Sequence, residues 1–310
     1  MSSILSGKDI LRTDTLTDDE LELILTTAAR FEDELAAEGR LTNMAGQVMA
    51  AMFFEPSTRT RLSFESAMHR LGGDVITIAD PKTSSAAKGE SMADAVSVVQ
   101  GYADVIVMRH PRKGSAAEAA AAVSVPVVNG GDGAGQHPTQ ALLDVYTIQK
   151  EKGTLDGLTV ALAGDLKNGR TVHSLVYLLA RFDSRLIFVS PSQLKMPAGI
   201  TEELRGQGVE VSETEDLASA MQESDVVYMT RIQKERFQDP AEYERLKGSY
   251  VLDMAMVDQA KEGISIMHPL PRVNEIKAEV DAYAGAAYFR QAHNGVPVRM
   301  ALLALVTGRE

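Results

Sequence analysis

Val48 to Gly73 reads VMAAMFFEPSTRTRLSFESAMHRLGG, a short apolar run that passes into an amphipathic helix through a cluster of polar donors. Val48 to Phe54, bounded by Gly46 and Pro56, suits a buried parallel strand. Beyond it Phe64, Ala67, Met68 and Leu71 recur at i, i+3, i+4 and i+7 before Gly72-Gly73, the pattern of a helix with a glycine stop. Ser57 to Thr60 therefore sit where a strand hands over to a helix. The first-turn N–H groups of such a helix lack intrahelical partners and carry the positive end of its dipole, so anions bind there. Ser57, Thr58 and Thr60 add hydroxyls, and Arg59 adds a guanidinium able to grip two phosphate oxygens at once. Ser57 alone would read as an ordinary N-cap; four donor side chains in succession read as a phosphate cradle.

The same alternation of strand-like and helical runs continues along the chain, which predicts an α/β fold of parallel sheets covered by helices on both faces. Further strands are expected at Val75 to Ile78, Val105 to Met108, Val125 to Val128, Leu158 to Ala163, Arg185 to Val189, Val209 to Ser212 and Val226 to Met229. Tyr250 to Leu252 and Ile264 to Met267 are shorter candidates. Helix caps are expected at Thr17 with Glu20, Ser91 with Asp94 and Ser115 with Glu118. The Gly-rich stretch Asn129 to Gly135 reads as the exit from the first sheet, and Pro138 to Lys150 as a helix leading to a second domain.

At 310 residues with 45% hydrophobic residues, the chain can bury the cores of two domains. No apolar run approaches the roughly 18 to 20 residues of a membrane helix. The N-terminus lacks the basic and apolar regions of a signal peptide, so a cytoplasmic location is expected. With no cysteine, thiol nucleophiles, disulfides and thiolate-bound metals are excluded. A net charge of −12 argues against nucleic acid or an anionic membrane as partner, so an anion site here is a local basic focus on an acidic body.

Two more clusters follow predicted strands: Met108-Arg109-His110-Pro111, and Gln136-His137-Pro138-Thr139-Gln140. In open α/β sheets ligands bind outside the carboxyl ends of the strands, so Arg109, His137 and Gln140 are expected at the same rim as Ser57 to Thr60. The histidines have no metal-ligand spacing, and no His-Glu-x-x-His motif occurs, so neither a metal nor a cofactor is expected.

These three motifs, together with Gly164 to Ser174 (GDLKNGRTVHS), Met229 to Arg236 (MTRIQKER) and His268 to Arg272 (HPLPR), closely resemble the aspartate/ornithine carbamoyltransferase family, and within it the catalytic chains of the aspartate enzymes. The likeness runs essentially end to end. It implies transfer of a carbamoyl group from carbamoyl phosphate to L-aspartate. A first domain would span 1–136 with about 292–310 returning to it as a C-terminal helix, a connecting helix 137–150 and a second domain 151–291. It also implies a homotrimer, and leaves open whether regulatory chains join it. Carried over position by position, it makes Ser57, Thr58, Arg59, Thr60 and Arg109 phosphate ligands, and sets His137, Gln140 and the Leu270 backbone at the carbamoyl end. Thr60, Arg109 and His137 would stabilise the oxyanion. Lys88, Arg170, Arg231 and Gln233 would hold aspartate, with Ser84 and Lys88 supplied by a neighbouring chain. Glu55 would pair with Arg170 or Arg236 on closure, while Arg61, His173 and Arg272 are read as structural. Asn168 departs from the Tyr that many members carry, a change that bears on loop packing.

Within the family, ornithine carbamoyltransferases are the nearest rival; they resemble this chain at Ser-Thr-Arg-Thr but typically carry Lys at the position of Glu55 and His-Cys-Leu-Pro where this chain has His268-Pro269-Leu270-Pro271. A dinucleotide-binding oxidoreductase is disfavoured because Gly131-Asp-Gly-Ala-Gly135 lacks the Gly-x-Gly-x-x-Gly spacing. A non-catalytic carbamoyl phosphate binder would have lost ligands of the second domain, yet Arg170, Arg231 and Gln233 are all present.

Overall fold

The computed structural model describes residues 3–78, 89–233, 237 and 239–310. The chain forms two compact units, Met1–Leu143 with Asn294–Glu310, and Asp144–His293. The division falls within a helix, between Leu143 and Asp144, where the sequence suggests a separate connecting segment over 137–150.

In the first unit, α1 (Asp18–Glu38) starts at the capping box read from Thr17 and Glu20: the Thr17 hydroxyl accepts from the Glu20 N–H, and the Glu20 carboxylate accepts from the Thr17 N–H at 2.8 Å. Strands β1 (Val48–Phe53), β2 (Asp74–Ile78), β3 (Val105–His110) and β4 (Val127–Asp132) form a parallel sheet in the order β2-β1-β3-β4. Helices α2 (Thr58–Arg70), α3 (Met92–Val99), α4 (Ser115–Ala120) and the start of α5 (Pro138–Lys152) connect or follow these strands. Ala50, Met52, Ile106 and Met108 pack with Val96 and Ala119 on one face of the sheet. Their burial supplies the apolar drive that holds α3 and α4 down.

Two local expectations are corrected. The first concerns β4, which does not stop at Val128 but runs on through Asn129-Gly130-Gly131 to Asp132. Met108 pairs with Asn129 and His110 with Asp132, so β4 holds one residue more than β3 there, a bulge. Gly131 sits in it at φ 117, a conformation that side chains rarely adopt. The second is Ser115, which does not cap α4. Gly114 takes the cap position at φ 83, and the Ser115 hydroxyl donates back to the Arg112 carbonyl at 2.8 Å. Ser91 does cap α3, accepting from the Asp94 N–H at 3.1 Å.

The second unit carries β5 (Thr159–Ala163), β6 (Arg185–Val189), β7 (Glu210–Thr214), β8 (Val226–Met229) and β9 (Ser265–Met267) in the parallel order β7-β6-β5-β8-β9. Helices α6 (Arg170–Leu179), α7 (Ala198–Gly206), α8 (Leu217–Glu223), α9 (Pro240–Leu246) and α10 (Met254–Val257) lie between them in sequence. Tyr250 to Leu252 is not a strand. Leu252 forms a single bridge to Ile276, because the chain turns at once into α10 with the Asp253 side chain capping it. The last helix, α11 (Tyr288–Thr307), returns from the second unit to the first, where Met300 to Val306 are fully buried and the Val306 carbonyl accepts from the Gly7 N–H at 2.8 Å.

Candidate functional site

In the first unit Ser57 to Thr60, the stretch expected to cradle a phosphate, lies at the carboxyl end of β1. Ser57 occupies the N-cap position of α2 in extended backbone, yet its hydroxyl makes no capping hydrogen bond, and the first turn of α2 holds no acidic residue. The positive end of this helix is thus left uncompensated by its own side chains. Thr58 and Arg59 are exposed and Thr60 is buried. Arg61 faces Glu65 at 4.0 Å across one helical turn, in keeping with a structural role.

Arg109 lies beside the cradle because β3 pairs in register with β1: Phe53 is opposite Arg109, and the Phe54 N–H donates to the Arg109 carbonyl at 2.8 Å. Its guanidinium is held from two sides. Nε lies 3.2 Å from Glu55 Oε2, and Nη1 donates to the Gly130 carbonyl at 3.2 Å. A Cβ placed on Gly130 would stand 3.6 Å from both Thr60 Cγ2 and Arg109 Cβ, which is how closely the bulge draws these segments together. His137 Nε2 stands 3.5 Å from Arg109 Nη1. Gln140 is half-buried in the first turn of α5, which again holds no acidic residue.

Asp132, which the sequence reading missed, fixes the loop that carries His137. Its carboxylate accepts from the N–H groups of Gly114 and Gln136, both at 2.7 Å, and from the Asn129 side chain at 3.3 Å. One side chain thus ties the start of α4, the bulge of β4 and the approach to α5. The signal was an aspartate among glycines at the end of a strand. His110, next to Arg109, is a packing residue: burial first and the Arg112 charge second push its pKa down, and its ring tilts against Phe54.

In the second unit Gly164 ends β5 at φ 116, and a Cβ there would come within 2.2 Å of the Thr230 carbonyl; only glycine permits this approach. The next residue, Asp165, is fully buried. Burial pushes its carboxyl up, and the Asn168 and Gln233 N–H donors pull it back. Asn168 donates to it from its main chain at 3.0 Å and from its side chain at 3.1 Å. The Asn168 carbonyl in turn accepts from the Arg170 N–H at 3.1 Å and from Gln233 Nε2 at 3.4 Å. Arg170 and Gln233 are brought together in this way, and Arg231, half-buried, follows β8. His173 Nε2 donates to the Leu166 carbonyl at 2.7 Å, a loop brace. Ser84, Lys88 and Arg236 lie outside the described residues.

Leu270 follows β9, half-buried. Arg272, two residues on, is spent on structure: it pairs with Asp281 and stacks on Tyr288 and Phe289. Near it Glu275 is buried against His268 at 2.8 Å. Burial pushes its carboxyl up, but the His268 hydrogen bond and main-chain N–H groups outweigh this and hold it at about 2 against an ordinary 4.5. A depressed pKa contributes stability above the unfolded value and loses it as pH falls through the folded one. Urea unfolding followed from pH 6 downward should therefore show wild-type stability falling between pH 4.5 and about 2. Glu275→Gln should be less stable above that window and shallower through it; parallel curves would show that Glu275 does not titrate in this way.

Among the described residues no group of three or more His, Cys, Asp or Glu side chains could hold a metal ion, and no helix is long and apolar enough to cross a membrane. Comparison with known proteins gives a consistent result. The family model described as the aspartate/ornithine carbamoyltransferase carbamoyl-P binding domain matches residues 8–150, and that of the Asp/Orn binding domain matches 156–306. An aspartate carbamoyltransferase catalytic subunit of Thermococcus gammatolerans is 53% identical over 303 residues, 98% of either chain, and one of Methanopyrus kandleri is 51% identical over 309 residues, 99% of either. Among solved structures, aspartate transcarbamoylase from Trypanosoma cruzi in complex with carbamoyl aspartate and phosphate superposes with a TM-score of 0.93 at 43% identity, covering 98% of this chain and 97% of the other. The catalytic subunit of M. jannaschii aspartate transcarbamoylase gives 0.89 at 50% identity, covering 96% and 97%. With both of its units matched and near-complete relatives at about half identity, the chain belongs to the aspartate/ornithine carbamoyltransferase family.

Proposed function

We propose that this chain transfers the carbamoyl group of carbamoyl phosphate to the amine of L-aspartate, giving N-carbamoyl-L-aspartate and phosphate, a step of pyrimidine biosynthesis. The observation that carries the proposal is a pair of unlike anion clusters. One unit offers a helix N-terminus dense in hydroxyls, with Arg59 and Arg109, which suits a phosphate; the other offers Arg170, Arg231 and Gln233, which suit a dicarboxylate. A cationic amine such as ornithine fits the second cluster poorly. Both substrates are anions, and permanently charged guanidiniums offset their repulsion.

In this reading Ser57, Thr58, Arg59, Thr60 and Arg109 hold the phosphate, while His137, Gln140 and the Leu270 main chain meet the carbamoyl end. The aspartate amine attacks the carbamoyl carbon, forming the C–N bond. The tetrahedral intermediate then breaks its C–O bond to phosphate, and the amine proton passes to the departing phosphate. Thr60, Arg109 and His137 donate to the developing oxyanion, the usual large electrostatic contribution, and orientation of the two reactants supplies much of the rest. Lys88, with Ser84, reaches the site of a neighbouring chain in a homotrimer. Regulatory chains are further partners in keeping with relatives named catalytic subunits, and the cytoplasm is the compartment.

The direct test is a colorimetric carbamoyl-aspartate assay with phosphate release measured alongside. One phosphate per carbamoyl aspartate is expected; product from ornithine but not from aspartate would overturn the proposal. Arg231→Ala should raise the KM for aspartate more than about tenfold, the loss of one charged contact to a carboxylate. Calorimetric affinity for carbamoyl phosphate should stay nearly unchanged. Equal loss of both affinities would show the ligands to be wrongly assigned.

A further inference from the structure

The turn after β9 is held by a chain of buried polar contacts that neither substrate assignment uses. His268 is 1% exposed. Its Nδ1 accepts from the Leu270 N–H at 2.7 Å, so the ring proton sits on Nε2, which donates to Glu275 Oε1 at 2.8 Å. Glu275 Oε2 accepts from the N–H groups of Val273 and Asn274 at 3.1 and 3.0 Å. From the other side, the His268 N–H donates to Gln291 Oε1 at 2.8 Å; Gln291 Nε2 donates to Asp144 Oδ1 at 2.6 Å, and the Tyr228 hydroxyl donates to Asp144 Oδ2 at 2.8 Å. The imidazole is thus fixed in place, tautomer and tilt.

What this fixes is Leu270. Among the described residues it is the one non-glycine at positive φ, 55°, where an L side chain stays only if its surroundings hold it. His268 takes up the Leu270 N–H, and the next residue, Pro271, has none. Among the described residues no donor meets the Leu270 carbonyl, so the turn presents an acceptor. A carbamoyl amide carries two N–H donors and matches an acceptor; an acetyl methyl in the same place does not.

We propose that His268, oriented by Glu275, is a positioning residue that sets the Leu270 main chain to read the amide end of carbamoyl phosphate. This rests on the function proposed above. The variants follow from atom positions: Asn places its Oδ1 where His Nδ1 lies and can still accept from Leu270, whereas Gln places its amide near Nε2 and can serve Glu275 alone. The measured quantity is the ratio of affinities for carbamoyl phosphate and acetyl phosphate, in which a general loss of packing cancels. His268→Gln should narrow the wild-type ratio at least about tenfold, the equivalent of one lost hydrogen bond, and His268→Asn by clearly less. Equal ratios in wild type and both folded variants, or a greater narrowing in His268→Asn, would overturn the proposal. Should the variants not fold, wild-type protein labelled with ¹⁵N histidine serves instead. Carbamoyl phosphate should shift the His268 Nδ1 resonance and acetyl phosphate should not; identical responses would overturn it. A wild-type enzyme that forms no carbamoyl aspartate would count against the function itself.

Discussion

Arg59→Ala should reduce kcat at least about a thousandfold, near 4 kcal/mol of transition-state stabilisation. In the proposed function the guanidinium would make a bidentate, charge-assisted contact to a phosphate whose oxygens gain charge as the C–O bond breaks, so its contribution would grow along the reaction coordinate. Arg59 is also the cleaner of the two first-unit arginines to test. It is exposed in the first turn of α2, whose buried side chains Thr60, Phe64, Ala67 and Met68 are untouched by its removal. Arg109 is buried and paired with Glu55, so truncating it would leave a carboxylate beside a cavity and mix stability with chemistry. The thermal midpoint of Arg59→Ala should therefore stay near wild type while turnover nearly vanishes. A folded variant that keeps most of its turnover would remove the phosphate assignment of the cradle.

The second large effect is a recovery. If Lys88 serves a neighbour, Lys88→Ala and Arg59→Ala trimers should each be nearly inactive, and mixing them after dissociation should restore activity. Around a ring of three, any hybrid contains one junction where an intact Arg59 meets an intact Lys88 from the next chain. Random reassembly of equal amounts should therefore regain about a quarter of wild-type activity, as cyclic symmetry with heterologous contacts requires. Hybrids verified by native mass spectrometry that show no gain over their parents would mean that each site is built within a single chain.

Much of the architecture was legible because it rests on local periodicity. Arg185 to Val189 and Val226 to Met229 are strands over those very residues, and the capping box at Thr17 and the helix after Ser57 follow from short-range donor and apolar patterns. What escaped depends on partners far apart in sequence or on backbone detail. The extension of β4 past Val128 needs a bulge that glycines suggest but do not specify. Gln291 and Asp144 are 147 residues apart, and no periodicity announces their contact. The same holds for Asp132, which reads as one more polar residue in a glycine-rich loop until its three donors are seen. His268 was visible as part of a motif, but its work on Leu270 depends on which nitrogen accepts, a matter of geometry alone.

Asp165 and Asn168 show how such contacts constrain inheritance. Asp165 is fully buried, and both the main chain and the side chain of Asn168 donate to it. A buried carboxylate that loses donors is costly, so replacing Asn168 with a side chain that cannot donate should weaken the loop, although the main-chain N–H at 168 would still reach Asp165. An aromatic side chain there would need a substitute donor to arise elsewhere, before or together with it.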